Sequence, residues 1–283
     1  MKKYSRQFVF VAAAVISATP LLQASGHGPV FGLATPTNPQ GGFSLDTSFM
    51  GRYGDGGGAM LRATLGYGLT ENLKISISAP LVFDAEPFSA ARVAAFTPMG
   101  GDFESLVTWR FHRQDTGVGS RFESAAIGGL LVPGPQHAGG PERGLHSGVG
   151  GLAGIVTGVA SRGHYAWTGV SYQRYAESAA DRRPDLLFYS AVYGYRPPSW
   201  RTDTGWDWRL FGELTGERAG TLQFAGLKLP GSDSHQVFFG PTTLGVYKNY
   251  AVSAGIQFPL YRSVSPIFPA EQVRFSVNFS YFF

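Results

Sequence analysis

The chain has 283 residues, among them 39 glycines and no cysteine; 14% are aromatic and only 15% are charged. That many aromatics with so little net charge excludes a disordered chain. The missing cysteine excludes disulfide scaffolds and thiolate metal or iron–sulfur sites, and the charged share lies well below the ~25% of soluble domains. The formal charge of +4 falls to +1 once a leader containing Lys2, Lys3 and Arg6 and no acid is set aside, so no nucleic-acid partner is expected.

Residues 1–24 read as that leader, a secretory signal peptide. A basic start is followed by the apolar run Phe8 to Ala18, too short to span a bilayer, and by Leu22-Gln23-Ala24 as a cleavage site. Residues 25–42 form a periplasmic or lumenal segment, and 43–283 the body of the protein. Cleavage after Ala24 would expose Ser25-Gly26-His27. An α-amine, two amide nitrogens and a third-position imidazole form a planar four-nitrogen site for Cu(II) or Ni(II). Val30, Phe31 and Leu33 make the stretch from Pro29 to Gly42 too apolar for a free tail, and it is expected to tuck into a lumen as a partial plug.

From Phe43 onward, apolar and polar residues alternate with period two. Phe43, Leu45, Thr47 and Phe49 share one face of a strand, with Ser44, Asp46, Ser48 and Arg52 on the other. Leu61 to Leu69 and Leu73 to Leu81 repeat the pattern around the turn 70–72. Further strands read as 103–112, 121–132, 147–159, 165–174, 186–196, 206–217, 236–247, 251–260 and 272–283. About twelve strands of roughly ten residues, at ~3.3 Å per residue and a tilt of ~40°, match the ~25 Å apolar band of an outer-membrane barrel. Connections at 70–72, 161–164 and 248–250 are short, and those at 84–101, 133–146, 175–185, 218–235 and 261–271 are long. Short periplasmic turns with long external loops are the pattern of an antiparallel up-and-down transmembrane β-barrel. The final strand ends on the aromatic Phe283, which resembles the recognition signal of the barrel-assembly machinery.

The segments GPVFGLATPTNPQGGFSLDTSFMGR, AMLRATLGYGLTENLKISISAPLVF and GPTTLGVYKNYAVSAGIQFPLYRS resemble a bacterial outer-membrane family labelled for a MetA pathway of phenol degradation, or simply as transporters. The resemblance covers the first and last three strands. It implies a barrel of about twelve strands, a transport role and no catalytic residue.

Function should therefore lie on the inward face. Parity places Asp46, Arg52, Arg62, Lys74, Glu104, Arg110, His112, Arg209, Glu213, Glu217 and Arg274 there, as a charged lining that screens a small-molecule solute. Bases outnumber acids in that set, from which a weak anion preference is expected. Clustered glycines at 128, 129, 148, 150, 151, 154 and 158 suggest a wall of small residues facing a plug or solute. No cofactor motif and no zinc spacing occurs among the six histidines, although His137 and His146 share one external loop. Outer-membrane lipids and the assembly machinery are the expected partners, and the oligomeric state is left open. Two alternatives remain beside a passive channel. One is a barrel hydrolase of lipid or peptide using Ser234 and His235 from an external loop; the other is a barrel whose N-terminal copper or nickel site serves metal efflux.

Overall fold

Hydrocarbon offers no partner to a backbone N–H or C=O, so strands cross it only in a sheet without edges. The computed structural model describes residues 28–54, 58–83, 101–134, 146–200, 205–264 and 271–283, and it meets this condition with a closed antiparallel barrel. The wall runs through β1 (Phe43–Gly54), β2 (Gly58–Thr70), β3 (Leu73–Phe83), β4 (Phe103–Gly117), β5 (Ser120–Val132), β6 (Gly150–Ala160), β7 (His164–Tyr175) and β8 (Leu186–Tyr195). It continues through β9 (Asp207–Ala219), β12 (Ser234–Tyr247), β13 (Tyr250–Val264) and β14 (Glu271–Phe282), and β14 pairs back onto β1. The register of that closure runs from Ser44 opposite Phe282 to Arg52 opposite Arg274. Between β9 and β12 the small hairpin of β10 (Gln223–Phe224) and β11 (Leu227–Lys228) stands outside the wall. Twelve wall strands, each where alternation placed one, bear out the fold class read from the sequence.

Alternation orients the side chains. On β1, Ser44, Ser48 and Arg52 are buried inside, while Leu45, Phe49 and Tyr53 stand exposed outside. The exposed large residues, among them Leu65, Ile77, Leu130, Ile155, Phe258 and Val277, form the apolar outer belt of a membrane barrel. Short turns gather with Phe43 and Phe283 at one end, the periplasmic end in such barrels.

One position departs from the expected register. β4 carries a bulge between Arg110 and His112: Arg110 faces Ala125 of β5, and His112 faces Ser124. The extra residue flips the side chains beyond it, so His112 is exposed on the outside, its ring edge-on to Phe122 at 5.8 Å.

The glycines of β5 and β6 have structural tasks unlike the expected small-residue wall. A Cβ on Gly158 would lie 2.0 Å from the Ala166 carbonyl oxygen, and one on Gly129 2.1 Å from that of Ser105. Gly151 has only ordinary contacts around its missing Cβ. Gly158→Ala should therefore lower stability by about 1–3 kcal/mol through forced backbone displacement. Gly151→Ala should be neutral or stabilising by up to ~1 kcal/mol, because it restricts the unfolded chain. Urea unfolding in detergent, followed by the loss of heat-modifiable gel mobility, measures both.

Candidate functional site

The lumen is occupied by the chain's own residues 28–42. Gly41 and Gly42 pair with Gly68 at the periplasmic end, and from there the segment climbs inside the wall. The Asn38 amide donates to Ser44 Oγ (3.1 Å), and the Thr37 hydroxyl donates to the Glu71 carbonyl (2.8 Å). Thr35 is fully buried; its hydroxyl donates to Glu123 Oε2 (3.0 Å) and accepts from the Trp167 indole (3.1 Å). Leu33 N–H donates to Ser190 Oγ (3.0 Å).

At mid-height the segment meets Glu213 of β9. This carboxylate accepts three successive backbone N–H groups, from Val30, Phe31 and Gly32, each at 2.7 Å, and also the Thr242 hydroxyl. Hydrogen bonds to a charged group contribute about 1.5–3 kcal/mol each, so this residue is the principal anchor. Close approach requires Gly32: a Cβ there would sit 2.4 Å from Val192. The receiving wall is also glycine, but at positions other than those expected. Pro39 lies over Gly68, Leu33 over Gly169 and the Phe31 ring over Gly255.

Around the segment the interior has two tiers. Toward the periplasm it is apolar: Leu33 packs with Val156, Tyr165, Trp167, Phe188, Val192, Phe211, Leu244 and Phe282. Sequence reasoning missed this tier, although a signal was present. In the run LLFYSAVYGY of β8 both faces are largely apolar, as in a strand packed on both sides.

The external tier is ionic. Arg274 donates to both oxygens of Glu217 and to Glu271, with its guanidinium 3.8 Å above the Phe238 ring; Arg52 joins the same Glu271. Arg62 bonds Glu104 (2.8 Å). Arg183, from the β7–β8 loop, spans to Asp102 at the foot of β4 (2.7 Å) and lies 4.0 Å over the Tyr175 ring, whose hydroxyl also donates to Asp102. Burial alone would push the Arg183 guanidinium down, but the Asp102 carboxylate beside it holds it above its ordinary range.

The remaining expected residues fall near the periplasmic end. Arg110 pairs with Glu123 (3.0 Å), and Arg209 with Asp207 (3.0 Å). Lys74 crosses Gly66 within the field of Asp46. Asp102, Glu123 and Glu271 were absent from the sequence-based set. Asp102 and Glu271 lie one residue outside the expected strands, and Glu123 sits in a stretch with little alternation. Each engages an arginine, so the interior holds paired charges, and the anion preference loses its premise.

Above the wall one carboxylate knits three external loops. Asp181 accepts the His146 N–H (3.1 Å), the His146 ring (3.0 Å, Nδ1) and the Ala225 N–H (2.7 Å). Burial opposes its ionisation, yet the two amide donors and the imidazole hold its carboxyl below the usual aspartate range. Ser234 and His235 prove to open β12, not to sit in a loop, and successive strand residues point to opposite faces. They cannot converge on one substrate. Ser25, Gly26, His27 and His137 lie outside the described residues. Phe283 stacks on Phe43 at 5.4 Å across the barrel seam.

A closed barrel with an apolar outer belt and short turns at one end defines a transmembrane barrel of the outer-membrane type. The particular likeness is to solved channels. The COG4313 outer membrane channel from Pseudomonas putida F1 superposes with a TM-score of 0.64 at 12% identity, over 88% of this chain and 98% of that one. The NanC porin follows with a TM-score of 0.52 at 9% identity, over 84% and 98%. At such identities the likeness is one of fold. No family model matches the chain, nor does any curated protein.

Two consequences are measurable. Arg274→Met leaves Glu217 and Glu271 buried against Arg52 alone and should cost about 3 kcal/mol or more in urea unfolding. The Asp181 clasp, its carboxyl lowered on folding, contributes fully above the ordinary aspartate pKa of about 3.9 and is lost as pH falls through the lower folded value. Asp181→Asn should therefore release the loops at neutral pH, making the bond after Arg182 open to trypsin while the parent protein resists.

Proposed function

We propose that the protein is a passive outer-membrane channel for small molecules whose conductance is limited by its own residues 28–42. The seating of that segment on Glu213, Ser190 and Glu123 inside a closed barrel carries the reading, and the shared fold of solved outer-membrane channels supports it. In this reading Asp46, Arg52, Arg62, Lys74, Glu104, Arg110, Arg209, Glu213, Glu217 and Arg274 line the path. The external ionic tier screens entering solutes by charge, and the aromatic tier of Tyr165, Trp167 and Phe211 favours solutes with an apolar body.

The test is single-channel recording in planar bilayers. The parent protein should show small or infrequent openings. Deleting residues 29–40 should raise conductance severalfold, and Glu213→Gln should raise open probability by replacing three charge-assisted bonds with weaker neutral ones. Silence of all three proteins overturns the channel reading. Equal currents from all three overturn the limiting role of the segment.

A further inference from the structure

We infer that the outer wall of β7, β8, β9, β12 and β13 carries, at its external rim, a binding site for a phosphoryl group of the outer-leaflet glycolipid, with Arg218 and Arg174 as its cations. This inference concerns the lipid-facing surface and does not rest on the channel reading.

The strand register sets the patch out. Across the wall Tyr172 lies opposite Leu187, Leu187 opposite Arg218, Arg218 opposite His235, and His235 opposite Ser263. All of these belong to the outward rows. The next outward row toward the membrane centre is Val170, Tyr189, Gly216, Val237 and Tyr261, which carries no charge. Arg218 therefore stands where the apolar belt ends. A guanidinium on the lipid face costs about 2–4 kcal/mol at the midplane but only about 0–1 near the interface, so this height suits a headgroup contact. Arg174 lies one outward step beyond Tyr172 on β7, two strands from Arg218, roughly 10 Å along the sheet.

Both arginines are exposed, and neither makes an ion pair among the described residues. Of the acids near this rim, Asp185 accepts the Tyr172 hydroxyl at 2.7 Å, and the exposed Asp233 lies two residues before His235. Beside Arg218 the imidazole is held in place. His235 Nε2 meets the Tyr189 hydroxyl at 2.9 Å, and its ring packs edge-on to Tyr261 at 5.2 Å. Tyr189 reaches it by lying across Gly216, where a Cβ would fall 1.9 Å from the ring. Elsewhere on the rim the outward residues ending β1, β3, β4 and β5 are Tyr53, Phe83, Phe103 and Val132, all apolar or phenolic. Among the described residues the outward arginines of this rim fall on one wall, at headgroup height, beside a fixed aromatic and imidazole floor, and such a patch fits a phosphorylated sugar headgroup. Arginine supplies the bidentate geometry that a phosphate monoester accepts.

The experiment uses the full-length protein in detergent, with native mass spectrometry against three probes: rough lipopolysaccharide with bisphosphorylated lipid A, the same glycolipid dephosphorylated, and phosphatidylglycerol. The parent protein should retain the phosphorylated glycolipid at least tenfold better than either other lipid. Arg174→Gln/Arg218→Gln should lose that tenfold, while Arg218→Lys, which keeps the charge but not the planar fork, should retain only part of it. Heat-modifiable mobility confirms that each variant is folded. Undiminished retention by the double variant overturns the site. Equal retention of phosphatidylglycerol overturns the glycolipid assignment, and displacement of the glycolipid by an equal concentration of inorganic phosphate shows a free-anion site instead and overturns it as well.

Discussion

Every backbone amide that crosses hydrocarbon must find its partner within the protein, and that demand governs the rest of this structure. It forces β1 onto β14, and closure creates an interior that must itself be filled or wetted. The alternation that supplies an apolar exterior supplies the opposite parity to the inside, and this chain sends unusually many arginines and carboxylates there. Buried singly, each would be prohibitive; paired across strands, they become crossbraces. The Arg52–Glu271–Arg274–Glu217 chain joins β1, β14 and β9, and the Arg183–Asp102 pair spans from the β7–β8 loop to the foot of β4.

The lower tier solves the same problem differently. Aromatic and aliphatic side chains narrow the lumen, and residues 28–42 fill what remains. Such a segment brings its own unsatisfied amides into a dry space. Glu213 answers three of them at once, which explains a carboxylate with no arginine paired to it among the described residues: its countercharge is a row of peptide dipoles. Glu123 divides its oxygens between Arg110 and Thr35, and so ties the ionic and the inserted parts of the interior together.

The wall was readable because a barrel strand is a local pattern. Ten residues of alternation, a turn and a repeat identify it without knowledge of its neighbours, and all twelve wall strands were found that way. What resisted reading depended on single-residue offsets or on distant chain. His112 was misassigned because a bulge leaves no mark in an alternating sequence. Asp102 and Glu271 were missed at strand ends, where parity is weakest. Val30, Phe31 and Leu33 marked their segment as apolar, but nothing in the sequence connects Val30 with Glu213, 183 positions away. Gly68, Gly169 and Gly255 were overlooked because each stands alone, whereas the crowded glycines of β5 and β6 drew the eye to a place where they serve close strand packing.

The placement of the inserted segment also orders events in time. Beyond its nearby contacts with Ser44, Gly68 and Glu71, the segment's partners lie on β5, β7, β8 and β9, far later in the chain. Until those strands stand side by side, the amides of Val30 to Gly32 have no acceptor and Leu33 has no packing. These contacts are among the most non-local in the molecule, and contacts of that kind are rewarded only after the loop-closure entropy of everything between has been spent. Residues near the beginning of the chain therefore settle near the end of folding.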